Sequence, residues 1–160
     1  MDTNKTALIT GASAGIGLAF ANLLAKKKFN LILCARRVDL LNKKANELKQ
    51  KYKVKVLVIA TDLSNLSSCD KIINILNEKK ITIDFLINNA GYGLNKNFFD
   101  CSWQELEDYL NVMAITVTKL CHSVLMQMKK QNYGHIINVS SIAAFAPEEA
   151  GSLYKGIKAY

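Results

Sequence analysis

The stretch "TGASAGIG", residues 10–17, joins a short apolar run to a segment with helical spacing, and it decides the fold. The run before it, "KTALI", is short, uninterrupted and stopped by glycine, which predicts a buried strand. The segment after it, "LAFANLLAKKK", repeats apolar residues at intervals of three to four, which predicts a helix. Three glycines (Gly11, Gly15 and Gly17) therefore lie in a tight turn from a strand into a helix.

The same alternation of strand and helix continues along the chain. Further strands are predicted within residues 30–35, 54–62, 83–91 and 134–141, and helices within residues 38–52, 64–80 and 102–131, with a last helix beginning near Ser152. Ser64 is the expected cap of the third helix, and Ser102 with Glu105 fits a capping box. The pattern predicts an α/β fold in a single domain, residues 1–160: a Rossmann-type, doubly wound parallel sheet of about five strands.

Composition excludes several functional classes. Half of the residues are apolar and 21% are charged, as in globular domains. The sequence contains no run of 18 apolar residues, so no membrane span is expected. The net charge of +8 is spread over helical segments without a recognition motif, so nucleic-acid binding is not expected. Four scattered cysteines and the isolated His122 and His135 indicate reduced thiols in a cytoplasmic protein and no metal site.

The glycine turn itself indicates a binding function. In a doubly wound sheet, the turn after the first strand is where a dinucleotide binds, because glycines admit the pyrophosphate and the helix offers free N–H groups. The spacing here is G-x-x-x-G-x-G rather than G-x-G-x-x-G, and the lysine of a P-loop is missing. From the turn alone, a purely structural role for the glycines stays open.

Together with the motifs that follow it, the turn resembles the short-chain dehydrogenase/reductase family over essentially the whole chain. "TGxxxGIG" resembles the family's cofactor turn, and "NNAG", residues 88–91, resembles its sheet-stabilising motif. The resemblance implies catalytic roles for Asn111, Ser141, Tyr154 and Lys158. It implies cofactor contacts from Gly11, Ser13, Gly15, Ile16, Gly17, Arg36, Asp62, Leu63, Asn89, Ala90, Gly91, Tyr154 and Lys158, with Asp62 at the adenine.

A tyrosine and a lysine four residues apart occur twice, as Tyr92/Lys96 and Tyr154/Lys158. The first pair follows "NNAG" in a predicted loop, where this spacing does not put two side chains on one face. The second pair lies in a predicted helix, where residues i and i+4 share a face. Ser141 precedes Tyr154 by thirteen residues, as the family's catalytic serine does, which favours Ser141 over its neighbour Ser140.

The residue types suit carbonyl reduction. A carbonyl that takes a hydride needs a proton at its oxygen, and a free tyrosine has a pKa of about 10, too high for efficient catalysis near neutrality. An ammonium beside it, that of Lys158, favours the phenolate and lowers that pKa. The resemblance adds that Lys158 holds the nicotinamide ribose, Ser141 polarises the substrate oxygen, and Asn111 anchors a water that relays protons to Lys158. Alternatively, Asn111 has only a structural role, as a polar residue within an otherwise apolar stretch of helix.

The end of the second strand, "LILCARR", bears on the choice of cofactor. Ala35 stands where an acidic residue would select NAD, and Arg36 and Arg37 follow it as the only arginines of the chain. The planar guanidinium suits a 2′-phosphate, so we expect NADP(H) rather than NAD(H), with Arg36 as the main contact and Ser13 assisting. Arg37 is expected to be solvated surface. Ala14 stands where some NADP-preferring relatives carry a basic residue.

The resemblance implies an NADP(H)-dependent oxidoreductase that acts on a small-molecule carbonyl or secondary alcohol. Within the family, the sequence resembles the 3-ketoacyl reductases, which implies a 3-ketoacyl-like activity. Residues 142–153 would line one wall of the substrate pocket, with Ala143 and Phe145 apolar and Glu148 and Glu149 solvated. A nucleotide-binding module without turnover is the alternative. An epimerase or dehydratase of the superfamily's extended branch has a different glycine spacing, and "NNAG" argues against it.

Chains of this family continue past the tyrosine–lysine motif with two more strands and a mobile lid. The resemblance therefore implies a chain truncated at its C-terminus, either an interrupted product or one that a partner completes. The fifth strand would then be an exposed apolar edge. The family's homo-oligomers often form through the long helix and the tyrosine–lysine helix, so oligomerisation of this chain is in doubt.

Overall fold

The computed structural model describes residues 5–94, 96–145 and 153–160. Five strands form one parallel sheet in the order β3-β2-β1-β4-β5. Their bounds are β1 Thr6–Thr10, β2 Asn30–Ala35, β3 Val56–Ala60, β4 Phe85–Asn88 and β5 His135–Asn138. The order reverses between β1 and β4, so the predicted doubly wound fold is confirmed.

Helices connect the strands. They are α1 Gly15–Lys26, α2 Val38–Tyr52, α3 Ser67–Glu78, α4 Trp103–Leu110, α5 Thr116–Lys130 and α6 Leu153–Ala159. Short 3₁₀ turns span Phe98–Asp100 and Ile142–Ala144. Ser152, the predicted start of the last helix, lies outside the described residues, as do Glu148 and Glu149.

Successive residues of the central strand enter two different cores, one on each face of the sheet. Leu8 packs with the α3 and α5 side, where Ile72 and Leu120 are fully buried. Ile9 packs with the α1 and α2 side, which includes Ala21 and Leu41. Because strand side chains alternate between faces, burial on both sides explains why the strands are almost continuously apolar.

The expected capping role of Ser64 is wrong. Helix α3 begins at Ser67, and Ser64 lies in the preceding loop, where its N–H donates to Asp62 Oδ1 over 3.1 Å. The side chain of Asn65 instead accepts hydrogen bonds from the N–H and hydroxyl of Ser67, at 3.0 and 2.8 Å. An asparagine two residues before the helix thus gives the turn a local acceptor, which moves the helix start.

The long predicted helix, Trp103–Lys130, begins with the predicted capping box at Ser102. A π-helical turn at Asn111–Ile115 separates α4 from α5, because the N–H of Thr116 donates to the carbonyl of Asn111, five residues back. By length and composition this helix could cross a membrane, which is weak evidence because a core helix meets the same criteria. Its face toward the sheet is buried in the core.

Strand β5 is the edge of the described sheet, next to β4. Its end residues, His135 and Asn138, are exposed, and Ile136 and Ile137 between them are half-buried. The expected exposed apolar edge is therefore present in the described part of the chain.

Candidate active site

A cavity of about 1400 Å³ opens at the carboxyl ends of the strands, where the strand order reverses. It extends from the ends of β3 and β2, past the glycine turn after β1, to the end of β5 and helix α6. This crevice is where open α/β sheets bind ligands, so the fold itself selects the location.

Two glycines of the turn adopt conformations that other residues avoid. Gly11 has φ +65° and Gly15 has φ +55°, both in the left-handed region. A Cβ on Gly15 would meet no atom within 4 Å, so the N-terminus of α1 faces open cavity. Gly17 is the opposite case, because a Cβ there would meet the carbonyl oxygen of Gly11 and lie 2.6 Å from Asn89 Nδ2.

The turn is tied to the end of β4 by a hydrogen-bond network around Thr10. The Thr10 hydroxyl accepts from the N–H groups of Asn89 and Ala90, each at 3.0 Å, and donates to the carbonyl of Ile87 at 3.4 Å. The amide of Asn89 donates back to the carbonyls of Thr10 and Gly11, at 3.0 and 3.3 Å. This network fixes two cavity walls, the glycine turn and the "NNAG" segment, against each other.

Replacing Thr10 by valine should lower the free energy of unfolding by about 2–3 kcal/mol, because two N–H groups lose their acceptor while the side-chain shape is kept. Thr6→Val, at the other end of β1, is the matched control and should change stability by less than about 1 kcal/mol. Urea denaturation of both variants checks this. Equal effects of the two substitutions would show that the network contributes nothing beyond the threonine itself.

Both arginines lie at the far end of the cavity, beside the buried Ala35. Arg36 forms an ion pair with Asp62 at 3.8 Å, with both side chains largely exposed, so the pair is weak. Arg37 is exposed as expected, but it is not merely solvated: its guanidinium donates to Ser13 Oγ over 3.1 Å. The glycine turn and the arginine pair thus form one basic surface. Sequence reasoning expected Arg36 to be the main cofactor contact there and Arg37 to be solvated.

Asn111 is buried at the start of the π-helical turn, and its side-chain amide donates to the carbonyl of Ser64 over 2.9 Å. Thr116, at the end of the same turn, donates to the carbonyl of Leu63 over 3.2 Å. Both hydrogen bonds attach the π-helical turn to the loop after β3. A π-helical turn is frequent at functional sites because it re-aims a side chain, and Asn111 occupies that position here.

Tyr154 and Lys158 lie on one face of α6 at the cavity wall, with Lys158 Nζ 5.8 Å from the centre of the Tyr154 ring. Lys158 Nζ donates to the carbonyl of Val139 over 2.8 Å, which joins the helix to the end of β5. A Cβ on Gly91 would lie 2.8 Å from Met113 Sδ and 3.8 Å from Lys158 Nζ. Gly91 therefore leaves room for Met113 of the π-helical turn and lies close to the lysine.

The two serines after β5 have different partners. Ser140 lines the cavity, and its hydroxyl donates to the carbonyl of Lys158 in a short hydrogen bond. Ser141 caps the following 3₁₀ turn, its hydroxyl accepting from the N–H of Ala143 at 3.1 Å. Ala143 lines the cavity and Ser141 does not, within the part of the wall that the structure describes. Of the predicted catalytic residues, the structure brings Tyr154 and Lys158 to the cavity directly.

The second tyrosine–lysine pair takes part in different contacts. Tyr92 packs edge-on against the fully buried Tyr109, with ring centres 5.2 Å apart. Lys96 Nζ forms an ion pair with Glu105 at 2.6 Å. Burial raises the pKa of Tyr109 to about 12, and the nearby Tyr154 and Tyr92 add to this. Burial and then the Asp108 carboxylate raise the pKa of Tyr92.

Sequence reasoning missed three features of the cavity: the Arg37–Ser13 contact and the two aromatic lining residues Phe98 and Phe99. The adjacent aromatics "FF" in a loop without periodicity were the available signal. Phe145 was expected on the pocket wall, but it is 89% exposed and is not among the described residues that line the cavity.

Comparison with known proteins identifies the class. The fold and the tyrosine–lysine helix define a dinucleotide-binding oxidoreductase architecture, and the profile of the family described as short chain dehydrogenase matches residues 5–159. The chain belongs to this family. An NADP-dependent 3-hydroxy acid dehydrogenase of Schizosaccharomyces pombe is 38% identical over 156 residues, which are 96% of this chain and 60% of that protein.

Solved structures give the same result. A bulky-bulky ketone specific alcohol dehydrogenase from Comamonas testosteroni superposes with a TM-score of 0.91 at 34% identity, covering 98% of this chain and 63% of that one. A short-chain dehydrogenase from Sphingobium yanoikuyae in complex with NADPH superposes with a TM-score of 0.90 at 32% identity, covering 97% and 60%. The chain thus spans about 60–63% of the length of these three relatives.

Proposed function

We propose that this chain is the cofactor-binding and catalytic part of an NADP(H)-dependent oxidoreductase that interconverts a carbonyl compound and a secondary alcohol. The observation that carries the proposal is one continuous cavity with two chemically different ends. The glycine turn and the arginine pair line one end, and Tyr154 and Lys158 line the other.

The residues present fit a dinucleotide. The N-terminus of α1 opens into the cavity at Gly15, and helix N-termini favour phosphate groups. At the end of the cavity where the adenosine ribose would lie, Arg36 and Arg37 carry two positive charges and Asp62 carries one negative charge. Planar guanidinium groups bind a 2′-phosphate well, and Ala35 provides no carboxylate for a 2′-hydroxyl. When bound, the nicotinamide supplies or accepts the hydride.

The chain's own residues then handle the proton and hold the substrate. In reduction, Tyr154 donates its hydroxyl proton to the substrate oxygen as the carbonyl becomes an alcohol. Lys158 places a positive charge beside the Tyr154 ring and is fixed by the carbonyl of Val139. Asn111, oriented by its bond to Ser64, would hold the water that returns a proton to the lysine. Ser141 would polarise the substrate oxygen with its O–H, which the bond accepted from Ala143 leaves free to donate; this requires the hydroxyl to turn toward the cavity.

Relatives support the choice of cofactor. The Schizosaccharomyces pombe relative is NADP-dependent and the Sphingobium yanoikuyae relative binds NADPH. The 3-ketoacyl-like activity proposed from sequence has a partial counterpart in the 3-hydroxy acid dehydrogenase activity of the first of these. A nucleotide-binding module without turnover is the second candidate, and it is favoured because Ser141 is not among the described residues that line the cavity.

The test is a titration of the chain with NADPH and NADH, followed by nucleotide fluorescence. Arg37→Ala should weaken NADPH binding about 10-fold and leave NADH binding unchanged, because a charged hydrogen bond to the 2′-phosphate is worth about 1.5–3 kcal/mol. The matched control is Lys43→Ala, which removes one positive charge from the exposed face of α2. Equal weakening by both substitutions would mean that only net charge matters, and absence of NADPH binding would refute the proposed function.

A further inference from the structure

The cavity is larger than one ligand needs. Its volume of about 1400 Å³ exceeds the roughly 300–1,000 Å³ of ordinary ligand sites, and the cofactor end accounts for only part of its lining. The remaining lining includes Tyr154 and residues of the segment between β4 and α4, and this part of the cavity is here called the substrate end. This end has room for a second molecule next to the candidate proton donor.

Aromatic side chains dominate that end. Tyr92, Phe98 and Phe99, here named the aromatic wall, line the cavity and are 39%, 52% and 82% exposed. Leu94 and Leu153 extend the apolar lining on either side. A group of exposed aromatic residues in a cleft that is continuous with a polar site is typical of a ligand-binding surface rather than of ordinary protein surface.

Charged side chains of this segment have partners within the protein. Lys96 pairs with Glu105 at 2.6 Å, and Asp108 accepts a hydrogen bond from the Gln104 amide at 2.9 Å. Lys155, which also lines the cavity, has an interaction partner of its own. The surface that Tyr92, Phe98 and Phe99 offer to a ligand is therefore apolar, and an anionic group gains little from contact with it.

We infer that the aromatic wall binds a bulky apolar substituent of the substrate, so that the substrate class is a ketone or secondary alcohol carrying an aryl or long alkyl group. The inference rests on the proposed function, because it takes Tyr154 as the group that faces the reacting oxygen. The apolar arm extends from the reacting carbon toward Phe98 and Phe99. It thereby fixes which face of the carbonyl lies against the cofactor end.

The experiment measures the binding of three probes by calorimetry in the presence of NADP⁺: butyrophenone, 2-butanone and acetoacetate. Butyrophenone should bind at least about 10-fold more tightly than either of the others, since burial of one aromatic ring is worth more than a tenfold change in affinity. Phe99→Ala should remove most of that preference. Phe145→Ala is the matched control, an equally exposed phenylalanine outside the described cavity lining.

The outcomes separate the two proposals. Intact NADP⁺ binding with no preference for butyrophenone, or with tighter binding of acetoacetate, would overturn the inference and leave the proposed function standing. Equal effects of Phe99→Ala and Phe145→Ala would also overturn it, since binding would then be non-specific. Failure to bind NADP⁺ at all would instead refute the proposed function. Circular dichroism of each variant confirms that these surface substitutions leave the fold intact.

Discussion

The Tyr154→Phe variant is expected to reduce ketones with a kcat/KM lower by a factor of about 10²–10⁴, because the substrate oxygen loses its proton donor. The ring and its position over Lys158 are kept, so NADPH binding should stay within about twofold of the unmodified chain. Initial rates of NADPH oxidation with butyrophenone, together with NADPH titrations, measure both quantities.

A second tyrosine provides the control for this prediction. Tyr133 lies next to β5 at the opposite end of the strand from the cavity, where the ammonium of Lys5 sits over its ring at 3.6 Å. Tyr133→Phe removes the same hydroxyl without touching the candidate site and should leave the rate unchanged. If Tyr154→Phe kept full activity, another group would supply the proton. An unmodified chain that binds NADPH but turns over no ketone would favour the nucleotide-binding module.

Gly17→Ala should destabilise the protein by about 3 kcal/mol or more and abolish measurable NADPH binding. The added methyl group would meet the carbonyl oxygen of Gly11, which is backbone and cannot rotate away, and would lie 2.6 Å from Asn89 Nδ2. Relief requires the turn and the "NNAG" segment to move apart, and that movement disrupts the network around Thr10 and the entrance of α1 together.

A second glycine provides the control, because a methyl group added there collides with no atom. A Cβ on Gly156, within α6, meets nothing within 4 Å, so Gly156→Ala should stabilise that helix by about 0.5–1 kcal/mol. Thermal unfolding of both variants, followed by circular dichroism, tests the contrast. Comparable stability of Gly17→Ala and the unmodified chain would show that the close packing of the turn is not required.

Patterns that repeat over many residues made the fold predictable. The central strands β1, β2 and β4 are buried on both faces and are therefore almost continuously apolar, and the capping box at Ser102 marked a helix start. Features that depend on which nearby side chain supplies a hydrogen bond were harder to predict. Asn65 supplied the acceptor that Ser64 was expected to supply, and the π-helical turn at Asn111 left no trace in the apolar periodicity.

For the site, spacing predicted that Tyr154 and Lys158 lie together, but it favoured Ser141, whereas Ser140 is the serine that lines the described cavity. Spacing also did not predict what each side chain contacts. Tyr154 and Lys158 share a helix face because a four-residue interval brings them together in any helix. The bond from Arg37 to Ser13, which joins a strand end to a turn 24 residues earlier, depends on tertiary distance and could not be predicted from a local pattern. The same holds for the aromatic wall, whose residues follow no period.

The Glu105 carboxylate has a consequence for acid tolerance. It pairs with Lys96 and accepts from the N–H and hydroxyl of Ser102, and these bonds lower its pKa from 4.5 to about 2, the lysine bond contributing most. Its stabilising contribution is therefore complete above pH 4.5 and is lost as the pH falls toward 2. Protonation would loosen the contacts of Glu105 with Lys96 and with the N–H of Ser102, next to the segment that carries the aromatic wall. Because both charged side chains are exposed, the effect of acid should be a local loosening of this corner, while the glycine turn, held by uncharged groups, keeps its shape.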